Sequence, residues 1–198
     1  MQTFSENIIV ADAQYIDSVA FDLTVNFERM LGRRIPPADM ARWADCAALD
    51  GGVRGEENTI DVVLVHSEAY QSMENCSPSK LKAELDAQAC KSPLGELVFH
   101  TLAATEVTTV DEALIDLAAT LAKEESTRRL IIVPNGEHAD ALQQLRHQLQ
   151  QADTDKHITL LTMQPTAGGN YRQEMLGYSL LQALGISAEE VNSKIVKS

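Results

Sequence analysis

The groups in this sequence with most to offer chemically are carboxylates at the ends of apolar runs. Asp12 follows Ile8-Ile9-Val10, and Glu137 follows Leu130-Ile131-Ile132-Val133; Asp111 and Asp140 lie in the helical stretches on either side of that second run. In an open parallel sheet, ligands bind beyond the carboxyl ends of the strands, so residues just after strands are where chemistry is sought. Brought together, Asp12, Asp111, Glu137 and Asp140 form a hard-oxygen set suited to Mg²⁺ or Mn²⁺. Such ions take carboxylates, keep several waters and can aim one at a phosphodiester. On that reading Asp12, Asp111 and Glu137 are the catalytic candidates and all four acids are metal ligands. Carboxylates so crowded hold their protons more tightly unless a cation neutralises them. A plainer reading stands beside it: acids in the first turn of a helix, as Asp111 and Glu137 are, stabilise its positive end.

A second candidate is the loop Thr166-Ala167-Gly168-Gly169-Asn170-Tyr171-Arg172. Read as the entry to a helix, it offers amides that cradle a small nucleotide or other anion, with Thr166, Gly168, Gly169 and Arg172 as contacts. Its glycine spacing matches neither a P-loop nor the dinucleotide fingerprint, and a flexible helix entry is the alternative. Of the five histidines, His138 beside Gly136 is the functional candidate, while His100 alternates within a strand and reads as a satisfied core residue. No G-x-S-x-G elbow occurs. The short basic clusters Arg29, Arg33-Arg34 and Arg128-Arg129 are expected to pair with helix-end carbonyls or nearby acids.

The elements that must position these groups alternate short β-branched runs with longer stretches of helical period, which reads as a parallel sheet covered by helices. Strands are expected at Ile8–Val10, Ile60–Val65, Glu96–Leu102, Leu130–Val133 and Ile158–Met163. Helices are expected over 16–31 with Gly32 as the stop, from Pro36-Pro37 to Asp50, over Ser79–Cys90, behind the capping box Thr109-Val110-Asp111-Glu112, over His138–Gln151, and through Met175, Tyr178, Leu181 and Leu184. Ser187 caps a short terminal helix. The expected fold is a three-layer α/β/α, Rossmann-like or PIN-like domain over residues 1–198, with a mostly parallel sheet of about five strands and 185–198 as a helical extension. Crossovers are expected to be right-handed; periodicity does not give strand order.

Composition bounds the rest. The 198 residues are 44% hydrophobic, enough for a sizeable core, and carry 16 basic against 29 acidic side chains, a net charge of −13. That field repels phosphates unless basic residues cluster or metal ions intervene, and it disfavours anionic membranes. The opening residues lack a signal-peptide pattern, and no apolar run approaches the ~20 residues of a membrane span. Cys46, Cys76 and Cys90 have neither metal-ligand nor redox spacing; Cys46 and Cys90 read as helical buried thiols and Cys76 as a loop residue, so a reducing cytoplasm is expected.

The stretch Val110-Asp111-Glu112-Ala113-Leu114-Ile115-Asp116-Leu117, followed by Leu130 to Asp140, resembles the second half of a PIN/NYN-type ribonuclease domain. There an acid opens a helix, a short spacer leads to an apolar strand, and a Gly-acid turn starts the next helix. Ile8-Ile9-Val10-Ala11-Asp12 is similar to that family's first strand and first catalytic aspartate. The resemblance implies metal-dependent RNA phosphodiester hydrolysis, with Asp12, Asp111 and Glu137 holding Mg²⁺ or Mn²⁺. The acidic site is incomplete: Tyr15 stands where the family has asparagine or serine, Thr108 where it often has lysine, and Ala139 where it has a second aspartate. Asp140 is displaced by one position, a rotation of about 100° on a helix. The chain also resembles an uncharacterised bacterial family, which implies no function. The alternative is a non-catalytic α/β domain working through protein contacts. It would act as a homo-oligomer through Leu180, Ile186, Val191 and Ile195, unless these close the core.

Overall fold

Asn7–Asp12 (β1) is buried along its whole length, as a strand covered on both faces must be. In the structure, a computed structural model describing residues 4–152 and 155–195, this strand is the centre of a seven-stranded sheet. Residues 1–3 of the opening segment and 196–198 of the terminal extension lie outside the described residues. On one side β1 pairs in parallel with Asn58–Ser67 (β3), Asn7 opposite Ile60 and Asp12 opposite Val65. On the other it pairs in parallel with Arg129–Val133 (β7), Asn7 opposite Arg129. Beyond β3 lie Gly95–Ala104 (β6) and then Gln88–Ser92 (β5), whose pairing with β6 is antiparallel. Beyond β7 lie His157–Thr162 (β8) and Arg172–Met175 (β9), both parallel. The order is β5-β6-β3-β1-β7-β8-β9, and Ala38–Asp39 (β2) and Cys76–Ser77 (β4) form a separate pair.

Alternation along the central strands divides the core into two layers. Ile9, Ala11, Ile131 and Val133 face Ala13–Leu31 (α1), Met40–Asp50 (α2) and Leu176–Ala183 (α5). Ile8, Val10, Leu130 and Ile132 face Val110–Leu121 (α3) and Ala139–Leu149 (α4). This is the expected three-layer α/β arrangement, with seven strands rather than five. The chain winds outward from β1 through β3 to β6, then returns to β7 on the other side of β1. The carboxyl ends of β1 and β7 are therefore the switch point.

Several elements begin as the sequence indicates. Gly32 ends α1 in the left-handed region at φ 69°, its amide bonded to the Glu28 carbonyl. Thr109 and Glu112 make both bonds of the capping box, and the Ser187 hydroxyl accepts from the Glu190 amide at the start of Ala188–Ile195 (α6). Arg33 holds Glu190 through Nε and Nη2 at 2.6 and 2.8 Å, and Arg34 lies 3.6 Å from Glu28. His100 is paired with Asp61 at 2.6 Å.

Three segments depart from the expectation. Leu81 and Leu85 are buried at helical spacing, but they belong to a single widened turn, Leu81–Leu85. Ala87 at φ 56° breaks that turn, and Cys90 then pairs with Leu97 as a strand residue. The second helix starts at Met40 rather than at Pro36-Pro37, because the Asp39 carboxylate caps the Ala41 and Arg42 amides at 3.0 and 3.1 Å. Arg172–Met175 pairs with the outer edge of β8, so Met175 is a strand residue and the buried face of α5 is Leu176, Leu180 and Ala183. Tyr178 is consequently 70% exposed. Cys46 and Cys90 are half-buried, and Cys76 is buried in β4 rather than lying in a loop. Leu180 and Ile186 are closed into the core and Val191 packs against it, leaving Ile195 exposed. Among the described residues, no helix is long and apolar enough to cross a membrane.

Candidate functional site

Asp12 sits where β1 turns into α1 and serves as the cap of that helix. Its Oδ1 accepts from the Tyr15 amide at 2.9 Å. The residue is 4% exposed, and burial raises its carboxyl above the ordinary range. The Tyr15 amide opposes that rise, Asp111 adds to it and His138 opposes it. Charges from α3 and the start of α4 thus bear on the Asp12 carboxyl at the end of β1.

The capping box at Thr109 fixes the first turn of α3 and with it the position of Asp111. Asp111 Oδ2 lies 2.7 Å from Nδ1 of His138, which occupies the capping position of α4 without bonding any amide of that helix. A carboxylate only accepts, so Nδ1 is the donor and Nε2 is left to take a proton or to coordinate a metal. The sequence marked His138 by its strand-end position, but not its partner. The available signal was a histidine standing where serine, threonine, aspartate or asparagine usually caps.

Tyr15 closes the other side of the site. Burial, then Glu137 and Asp12, raise its hydroxyl above the ordinary phenol range, while the Gly136 amide hydrogen-bonds it. A Cβ on Gly136 would stand 3.0 Å from the Tyr15 oxygen, so the absence of a side chain there lets the β7–α4 turn close over the ring. The Glu137 amide donates to Asn135 Oδ1 at 3.0 Å, which completes that turn.

The four acids named from the sequence do not share one cavity. Asp111 and Asp140 line a groove of about 430 Å³ between α3 and α4, together with His138. Glu137 lines a separate pocket of about 270 Å³ with Tyr15, Gly136 and Thr166. Asp12 lies buried and lines neither. Among the described residues there is no group of three or more His, Cys, Asp or Glu placed to hold a metal ion. Asp140 does not line the Glu137 pocket: it opens α4 on the side of that helix turned toward α3.

The Thr166–Arg172 loop leads into β9, not into a helix, so no helix N-terminus backs it. The Thr166 amide and hydroxyl are held by Gln173 Oε1 at 2.8 and 3.0 Å, and Gly169 is crowded by the ring of Tyr171. Arg172 pairs with Glu174 at 3.2 Å. The cation on this loop is instead Arg146 of α4, bonded to the Tyr171 hydroxyl at 2.7 Å and to the Gly168 carbonyl at 3.4 Å. Sequence reasoning missed it because Arg146 is remote along the chain.

The chain belongs to the DUF6621 family, a family of unknown function, whose model matches residues 1–191. No curated protein and no solved structure matches it. Membership therefore brings no chemistry with it, and the site is argued from its side chains. Together they offer a buried carboxyl, a carboxylate-oriented imidazole and a phenol, at the place where an open α/β sheet receives its ligand.

Proposed function

We propose that this domain is a divergent PIN/NYN-like hydrolase acting on the phosphodiesters of RNA, with Asp12, Asp111 and His138 as its working groups. The observation that carries the proposal is the Asp111–His138 pair at 2.7 Å, whose charges bear on the buried Asp12 carboxyl at the end of β1. Among the described residues a full carboxylate cage is lacking, and Mg²⁺ or Mn²⁺, unlike an ion needing an all-protein site, does not require one. Magnesium keeps several waters and is bound through one or two carboxylates. Asp12 and Asp111 would hold it, and when bound it would acidify a water and offset phosphate charge.

His138 Nε2 takes the proton of the attacking water as the water oxygen bonds to phosphorus and the bond to the leaving ribose oxygen breaks, that ribose oxygen taking a proton from solvent. The Asp111 bond at Nδ1 fixes the ring and steadies the imidazolium until it returns its proton to solvent. Glu137 and Tyr15 line a pocket with Leu142 of α4 and the end of β8, outside the proton-transfer path.

Calorimetric titration of the wild type, Asp12→Asn and Asp111→Asn with Mn²⁺ and Mg²⁺ tests this. Binding by the wild type that both variants lose, followed by cleavage of single-stranded RNA that His138→Gln slows, is the expected outcome. No binding up to millimolar metal sinks the hydrolytic reading and leaves a non-catalytic α/β domain.

A further inference from the structure

Over a chain of net charge −13, one groove beside the switch point carries a cation and no acid. It runs between the outer face of α4 and the segment joining β8 to β9, has a volume of about 490 Å³, and includes Arg146 and His147 but no Asp or Glu in its lining. Gln143, Arg146, His147 and Gln150 recur at the spacing that places side chains on one face of a helix. The acidic residue of the same helix, Asp140, lines the opposite groove against α3. The acid-free groove shares Gly136, Leu142 and Thr166 with the Tyr15–Glu137 pocket, so the two cavities adjoin beside the switch point.

Arg146 is built into this groove rather than draped over it. Its Nε donates to the Tyr171 hydroxyl at 2.7 Å and its Nη2 to the Gly168 carbonyl at 3.4 Å. The Tyr171 hydroxyl in turn donates to the Ala167 carbonyl at 2.9 Å, which fixes the acceptor. A guanidinium has five N–H donors in a rigid plane, and those of Nη1 find no partner among the described residues. An oriented guanidinium with spare donors matches phosphate geometry, and less side-chain freedom is lost when a ligand arrives.

We infer that the α4 groove is an anion site in which Arg146, assisted by His147, holds the phosphate of a nucleotide-sized ligand whose remainder reaches the switch point. The inference rests on the proposed function only for what lies at the far end of the ligand; the groove itself is argued from Arg146. The size of the two adjoining cavities suits a nucleotide, and the α4 groove, which holds no acid while Glu137 lines its neighbour, relieves the repulsion that the rest of the surface imposes on phosphate. It also replaces Arg172 by Arg146 as the cation of the glycine-bearing loop.

The test is calorimetric titration of the wild type, Arg146→Gln, Arg146→Lys and Tyr171→Phe with adenosine monophosphate, inorganic phosphate and a short single-stranded RNA, with Mn²⁺ titrated into the same proteins. Adenosine monophosphate is expected to bind the wild type, and Arg146→Gln to weaken it about tenfold or more, the loss of a charged hydrogen bond. Arg146→Lys keeps the charge without the fork and should fall between. Tyr171→Phe, which unfastens the guanidinium without removing it, should weaken binding by a smaller factor. Tighter binding of the RNA than of the mononucleotide assigns the phosphate to a strand; equal binding assigns it to a free nucleotide. Wild-type protein that binds none of the three, or an Arg146→Gln protein that binds them unchanged, overturns the inference. Should Arg146→Gln fail to fold, unchanged affinity in both Arg146→Lys and Tyr171→Phe overturns it. Arg146-dependent binding with no Mn²⁺ binding would remove the hydrolytic reading and leave the groove standing.

Discussion

Replacing Asp12 with asparagine is expected to stabilise this protein near neutral pH while removing the cation it is proposed to hold. The buried carboxyl is raised above its ordinary value, so the folded chain binds that proton more tightly than the unfolded chain. The stability this lends is present below the unfolded value of about 3.9 and is lost as pH rises through the higher folded value. At pH 7 the wild type therefore carries the full burden of an ionised, buried carboxylate. Asparagine carries none of it and still caps α1, since its side-chain oxygen can accept from the Tyr15 amide as Asp12 does. Alanine also removes the charge but loses the cap, worth about 1 kcal/mol. The asparagine and alanine variants should thus differ by about 1 kcal/mol, or roughly 2–4 °C in melting temperature for a domain of this size. Urea unfolding of the three proteins at pH 7, and again near pH 3.5, measures both effects. The asparagine variant should gain on the wild type at pH 7 and lose that advantage in acid. An asparagine variant less stable than the wild type at pH 7, or a difference that does not change with pH, refutes the reasoning.

Three further perturbations test the frame around the site. Gly95→Ala should cost about 3 kcal/mol in urea unfolding, because Gly95 holds φ 132° and an added Cβ would stand 2.1 Å from the Asn58 carbonyl oxygen; a change under about 1 kcal/mol would contradict the close approach of β6 to Asn58 at the start of β3. Tyr70→Phe removes a 2.6 Å hydrogen bond to the buried carboxylate of Asp17, which also accepts from the Asn75 amide at 2.7 Å. A loss of about 1.5–3 kcal/mol is expected, and none at all would mean that Asp17 does not anchor the segment between β3 and β4. Cys76 should resist iodoacetamide at pH 8 in the native protein, because burial, then Asp17, push its thiol up; half-buried Cys46 and Cys90 should be alkylated before it, and the reverse order in peptide mapping would count against the packing around β4.

What the sequence determined by itself was local. Hydrogen bonds closing within four residues need no distant partner, so the Thr109 capping box, the Gly32 stop and the Ser187 cap were legible as residue types at fixed spacing. The continuous apolar runs of β1, β3 and β7 announced strands covered on both faces, and the class of fold followed. Asp12 and Glu137 could be named because a strand end is a position along the chain, and Asp111 because a capping box marks the first turn of a helix. Periodicity reports which face of an element is buried, not what buries it. Strand order, the antiparallel β5 and the edge strand β9 were therefore hidden, the last two because half-exposed edge strands such as Arg172–Met175 show no apolar alternation. Directions of side chains around a site are set by how elements cross, and that separated Glu137 from Asp140, paired Asp111 with His138 and brought Arg146 to Tyr171. A carboxylate's place in the sequence fixes where its backbone lies, but the packing of α3 and α4 on the sheet decides which neighbour it meets.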